Sequence, residues 1–180
     1  VCFRKAQSDC VLFVANDVRL FPDCIEKMFV FGKMFTSIAQ VQPEMYRVNG
    51  QVDQLGMDWV WPGYGISRKQ LSNNLKMIVP STCYLMKKGL LDAMNGFDES
   101  LISSHEDVDM GIRLLELGYR NCVVPGAKAI HLVNQTLRHT IKNPKQTFLQ
   151  ARLKVIDKHY SGVDRFLRKS AVNLLSKIPL

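Results

Sequence analysis

Apolar strand-like runs alternating with amphipathic helical stretches are the feature that most limits what this chain can fold into. The run CVLFVA at residues 10–15 is short, apolar and rich in β-branched and aromatic side chains. It reads as a buried strand ended by Asn16-Asp17. Pro22 then opens a helix carrying Ile25, Met28 and Phe29 on one side. Residues 40–80 lack sustained periodicity and read as loops with short strands, punctuated by VNG, LGM and WPGYG. STCYLM, residues 81–86, is a second strand, followed over 87–94 by a short helix that Asn95-Gly96 stops. Residues 121–124 form another strand ended by Pro125, and 129–131 a further short one. Asn143-Pro144 can cap and start a helix with Phe148, Leu149, Leu153, Ile156 and Tyr160 on one side. A second amphipathic piece spans residues 163–178. Strands separated by helices predict an α/β layer fold. We divide it into a body over residues 1–142 and a basic helical segment over 143–180.

Composition narrows the class. The chain has 180 residues, 47% of them hydrophobic, which is enough for one globular core. No apolar run approaches the length that spans a bilayer, and the first residues lack a signal-peptide layout. Cys2, Cys10, Cys24, Cys83 and Cys122 are scattered, with no CxxC pair, which predicts thiols in a reducing compartment and no zinc site. The net charge of +8 is uneven. Residues 1–127 carry 13 Lys/Arg against 14 Asp/Glu, whereas residues 128–180 carry 11 against 2. A basic end of this kind suits phosphates or an anionic membrane face. Nucleic acid is a weaker fit, because no zinc-finger or RNP-type pattern is present.

The stretch SSHEDVDMGIR, residues 103–113, places three carboxylates within four positions at the start of an apolar helical pattern. Two readings are open. In the first, Ser103 and Glu106 form a capping box, Asp107 and Asp109 favour the helix dipole, and Asp109 pairs with Arg113 one turn on. In the second, Asp107 and Asp109, two apart, face different ways: one braces Arg113 while Asp107, kept ionised by amide dipoles, removes a proton from a bound hydroxyl. Asp17 follows directly on a strand, where open α/β sheets bind ligands, and can hold a divalent cation together with phosphate oxygens. His131, at the end of a later strand, can complete that shell or simply pack.

Asp17, Glu106-Asp107 and His131 stand in an order that resembles the inverting GT-A-type glycosyltransferases of family 2, especially their rhamnosyltransferase-like branch. Gly96-Phe97-Asp98-Glu99 looks like the family's GFDE turn, and Glu106-Asp107-Val108-Asp109 like its acidic motif. Arg113 and Gly118-Tyr119-Arg120 match the family's next helix and turn, and Pro125 and His131 match its closing strand. VLFVANDVRLFPDCIEKM, residues 11–28, is similar to the region of the metal-binding DxD element. Asp17 takes its last position and Ala15 its first, so that motif is incomplete.

The resemblance implies a partial GT-A mixed sheet flanked by helices, with the first nucleotide-binding strands lying before Val1. It implies Asp107 as general base and Glu106 as its neighbour in the catalytic pair. Asp17 and His131 would hold Mg²⁺ or Mn²⁺. Trp59, Trp61, Tyr64, Asp98 and Arg113 would frame donor or acceptor, with Arg113 the better brace for Asp109. The substrates would be a nucleotide-diphosphate sugar and a hydroxyl acceptor such as a lipid-linked glycan. The expected setting is cytoplasmic, at an anionic membrane face. Two other functions stay open: a non-catalytic transferase-like module, and a basic adaptor for nucleic acid or phosphate.

Overall fold

The computed structural model describes residues 2–101, 104–132 and 143–178. A mixed sheet forms its centre. Its strands are β1 (Cys10–Val14), β2 (Val18–Leu20), β3 (Ile38–Arg47), β4 (Val52–Gln54), β7 (Cys83–Lys87) and β8 (Arg120–His131). They run in the order β1-β7-β3-β8-β2, and β4 pairs with the end of β3. β3 and β8 are parallel; the other pairs are antiparallel. A separate hairpin joins β5 (Met57–Val60) to β6 (Tyr64–Ser67). The expected α/β architecture is therefore present, a mixed sheet flanked by helices.

Helices cover both faces. α1 (Cys24–Met34) lays Cys24 and Met28 against Val41, Leu85, Cys122 and Val124. α2 (Lys88–Ala93) and α3 (Glu106–Glu116) put Leu91, Met110 and Leu114 on the other face, against Tyr84 and Met86. α4 (Pro144–His159) adds Ala151 and Val155 to a third cluster with Ile78, Leu101 and Val108. α5 (Gly162–Leu175) follows it. Full burial of a side chain the size of Met28 contributes about 1.5–3 kcal/mol.

Four local expectations change. The loop region read from residue 40 onward contains the central strand β3, which is buried from Ile38 to Met45. Gln40, Gln42 and Glu44 alternate with Ala39, Val41 and Met45, which is a strand pattern, but Pro43 argues against a central strand. The sheet absorbs that proline at a register shift between Pro43 and Glu44, where a missing ladder donor is tolerated. The two strands read around Pro125 are one, β8, which continues through Gly126 at φ 79°. α1 turns Cys24 and Met28 inward, while Ile25, at 46% exposure, and Phe29 face out. α3 begins at Glu106 behind His105, a left-handed residue at φ 64°, so Glu106 is the first helical residue and does not close a capping box. Ser103 itself lies outside the described residues.

Other local readings hold. Asn143 caps α4, its Oδ1 accepting from Gln146 N–H at 3.3 Å. Gly118 follows α3 at φ 86°. Asn95 and Gly96 close α2 with positive φ.

Candidate active site

The ends of β1, β3 and β8 bring two groups of polar side chains to one rim of the sheet. β1 runs out through Ala15 and Asn16 to Asp17, whose carbonyl accepts from Leu132 N–H at 2.8 Å. His131 ends β8 opposite Val18 and beside Arg47 at the end of β3. These registers place His131 Nε2 3.5 Å from Asp17 Oδ2. Asp53, in β4, stands 2.7 Å from His131 Nδ1.

Asp107 sits in the first turn of α3. Its carboxylate accepts from Ser81 N–H at 3.0 Å and Val108 N–H at 2.8 Å. Burial, with a smaller push from the Glu106 charge, raises its pKa to about 6 against those two amides. Amide dipoles thus act together with a burial that works against the charge. At neutral pH Asp107 is still mostly ionised, and a base poised near the working pH is the efficient kind.

Asp107, Glu106, Trp59, His105, Phe148 and Arg152 line one cavity of about 460 Å³. Three of these residues carry unpaired polar atoms: among the described residues, Glu106 Oε2, Trp59 Nε1 and Arg152 Nε are buried with no hydrogen-bond partner. Buried polar atoms are seldom left so, since each costs about 1–3 kcal/mol. Burial, and after it the charge of Arg152, lower the His105 pKa to about 4, so its ring is neutral at pH 7. The ring packs edge-on to Trp59 with centroids 5.8 Å apart.

The remaining expected site residues lie elsewhere. Tyr64 is stacked beneath Arg152, whose guanidinium carbon lies 3.8 Å from the ring centre. Trp61 is 57% exposed and does not line the cavity. Arg113 braces Asp109 at 2.8 Å and also bonds the carbonyls of Met94 and Gly96, so its donors are engaged in structure. Asp98 binds Lys158 at 2.8 Å and accepts from Ser100 N–H, contacts that hold its pKa well below the usual range. Asp17 and His131 are not among the residues lining the Asp107 cavity. The two groups are linked along the rim: Ala15 N–H bonds Thr82 O at 2.8 Å, and Ser81, the next residue back, holds Asp107.

Sequence reasoning misses His105, Phe148 and Arg152. It gives Phe148 a helix face without a destination, and it counts Arg152 only as part of the basic end. No local pattern carries α4 to α3, and that packing alone brings both residues to Asp107.

Mg²⁺ or Mn²⁺ is the metal to test against this geometry. Among the described residues no group of three His, Cys, Asp or Glu side chains is arranged to hold a metal ion. Asp17 and His131 supply two donors, and cis donors each ~2.1 Å from an octahedral cation stand about 3.0 Å apart. The observed 3.5 Å is wider than that, and a pair of donors would take a cation only together with oxygens from a bound ligand.

No family model matches the sequence, and no curated protein matches it. The fold does match solved structures. One is a crystal structure of GalNAc-T7 with UDP, GalNAc and Mn²⁺, at a TM-score of 0.73 and 12% identity. The match covers 99% of this chain and 37% of that one, so this chain spans little more than a third of its length. At that identity the likeness shows a GT-A-like glycosyltransferase fold and nothing finer.

Proposed function

We propose that this chain carries the base-bearing part of an inverting glycosyltransferase site, which moves a sugar from a nucleotide-diphosphate donor to a hydroxyl acceptor. The observation that carries the reading is the Asp107 cavity: a carboxylate with a pKa near 6 beside unpaired donor and acceptor atoms on Trp59, Arg152 and Glu106. An acceptor ring would lie there, oriented by the Trp59 N–H and the Glu106 oxygen. Asp107 would take the acceptor's hydroxyl proton on its carboxylate as that oxygen attacks the anomeric carbon. The Ser81 and Val108 amides hold the carboxylate in place and leave it no freedom to swing away.

Asp17 and His131 would hold the divalent cation, which supplies charge stabilisation to the leaving diphosphate. With only two protein donors, cation and nucleoside diphosphate should bind together and each weakly alone. Calorimetry with Mn²⁺, with UDP and with both tests this directly. Heat in none of the three would return Asp17 and His131 to structural duty. The rhamnosyltransferase-like branch rests on sequence motifs alone.

The setting we propose is the cytoplasmic face of an anionic membrane, where a lipid-linked acceptor would be met. Among the described residues no helix is long and apolar enough to cross a membrane. α5 instead turns its apolar side outward: Val163, Phe166 and Leu174 are 74%, 68% and 67% exposed, with Arg165 and Lys177 nearby. Pelleting of the protein with anionic but not neutral vesicles is expected, and equal pelleting with both would remove the charge-driven contact.

A second reading, a non-catalytic binding module of the same fold, draws support from Ala15 in place of an acid and from the separation of Asp17 from the Asp107 cavity. Sugar-nucleotide turnover by the protein with a competent acceptor decides between them.

A further inference from the structure

Arg152 is a half-buried cation that the fold leaves without a carboxylate. Arg68, Arg113 and Arg168 each hold one, on Asp58, Asp109 and Asp164. Arg152 makes no such pair among the described residues. The ring centre of Tyr64 lies 3.8 Å from its guanidinium carbon, and its Nε is buried with no hydrogen-bond partner. Burial lowers its pKa and contact with Tyr64 offsets part of that, so the group stays cationic.

Its surroundings do not supply the missing anion. Arg152 is the one lysine or arginine among the residues lining the Asp107 cavity, and it pairs with neither Glu106 nor Asp107. With Phe148 it also lines a second cavity, of about 470 Å³, whose walls include Tyr64, Leu149 and Leu175 and no Asp or Glu. A ring against a guanidinium occupies its face and leaves the N–H groups along its edge, a fork that fits a carboxylate or a phosphate. Asp17 and His131, the groups proposed for the donor's diphosphate, line neither cavity. The unmatched cation therefore lies on the acceptor's side, in the cavity of the proposed base.

We propose that Arg152 determines acceptor specificity: it pairs with an anionic group of the acceptor, a carboxylate or a phosphate, while the acceptor's hydroxyl lies at Asp107. The acceptor is then an acidic glycoside. This rests on the reading of the Asp107 cavity as the acceptor's place and adds the class of acceptor it takes. A neutral acceptor would leave the Arg152 charge unmatched in the occupied site. The cation also offsets the repulsion that Glu106 and Asp107 would exert on an acidic one.

Calorimetry on the full chain with methyl glucoside, methyl glucuronide and methyl glucoside 6-phosphate tests the assignment, since these probes differ only at C6. One of the two acidic sugars is expected to bind about 10–100-fold more tightly than the neutral one, the worth of a charge-assisted pair. Whichever binds more tightly identifies the anion as carboxylate or phosphate. Arg152→Gln should remove the preference and keep the binding of methyl glucoside, and Arg152→Lys should recover part of it. A preference that survives in Arg152→Gln overturns the role of Arg152. The comparison on the parent needs no variant, which guards against a folding defect: equal affinities there overturn the assignment and leave the acceptor site standing. Inorganic phosphate binding as tightly as the better sugar would also overturn it, because Arg152 would then be a general anion site. If none of the sugars binds, this assignment falls together with the reading of the Asp107 cavity as the acceptor's place.

Discussion

Asp107 and Asp109 stand two residues apart in the first turn of α3, and their surroundings differ in kind. Asp109 is fully buried and ringed by donors: Arg113 at 2.8 Å, Lys158 at 2.7 Å and His159 at 2.9 Å. Burial works against its charge, but His159, Lys158 and Arg113 outweigh it and hold its pKa down. Asp107 meets no cation of that kind. It has two amides, a like charge beside it and a cavity in front, and its pKa rises to about 6. One carboxylate is spent on holding α4 to α3, and the other is left under-compensated where a ligand can reach it. The helix start read from the sequence as either a cap or a reaction centre divides these roles between neighbouring acids.

Removing Asp109 should show the largest effect. Asp109→Ala leaves Lys158, His159 and Arg113 without their shared partner, and breaking a buried ion pair from one side costs about 3–5 kcal/mol. Urea unfolding at pH 7.5 should report a loss of that order. A loss below about 1 kcal/mol would mean the three donors find other partners, and the contrast with Asp107 would be one of geometry only.

How much of this is legible in the sequence depends on the range of the interactions. The Asp109–Arg113 pair lies one turn apart on a helix, within reach of spacing rules. Lys158 and His159 reach Asp109 from about 50 residues away, and no periodicity places them there. β1, β7 and the caps at Asn143 and Gly118 are local and readable. β3 alternates Ala39, Val41 and Met45 with Gln40, Gln42 and Glu44, but Pro43 in its middle argues against a central strand, and that its polar residues are buried shows only in the fold. In the site, Asp107, Asp17 and His131 can be named from motif order. Arg152, His105 and Asp53 cannot, since each depends on tertiary contact with an element distant in sequence.

Replacing Asp107 should do the opposite of replacing Asp109. Asp107→Asn is expected to cut turnover by roughly 10²–10⁴-fold, the range for a general base. It should not lower stability at pH 7.5. A carboxylate whose folded-state pKa is raised contributes stability below its ordinary pKa and loses that contribution as pH rises through about 6. Asp109, with a depressed pKa, contributes above the ordinary carboxylate range and loses it as pH falls. Unfolding curves from about pH 2 to 7.5 therefore separate them: Asp107→Asn should remove a decline toward neutral pH, and Asp109→Asn a decline below about pH 4. Curves of the same shape for both variants would erase the electrostatic contrast.

Glu106 sharpens the comparison at smaller cost. Its charge is the second cause, after burial, of the raised Asp107 pKa. Glu106→Gln should therefore move the acid limb of the pH–rate profile downward while keeping most of the turnover at pH 7.5. An unmoved limb would leave burial as the whole cause.

The smallest expected effect belongs to Trp59. Its indole Nε1 is buried without a partner among the described residues, so Trp59→Phe removes no hydrogen bond from the folded protein. It keeps a ring against His105, and no appreciable loss of stability is expected. The N–H matters only once something in the cavity accepts from it. If an acceptor sugar does, the variant should raise KM for that acceptor by up to about 10-fold, the worth of one neutral hydrogen bond, with kcat little changed. A destabilised variant with unchanged KM would place Trp59 among the packing residues around Asp107, and the unpaired atom there would no longer mark a ligand's position.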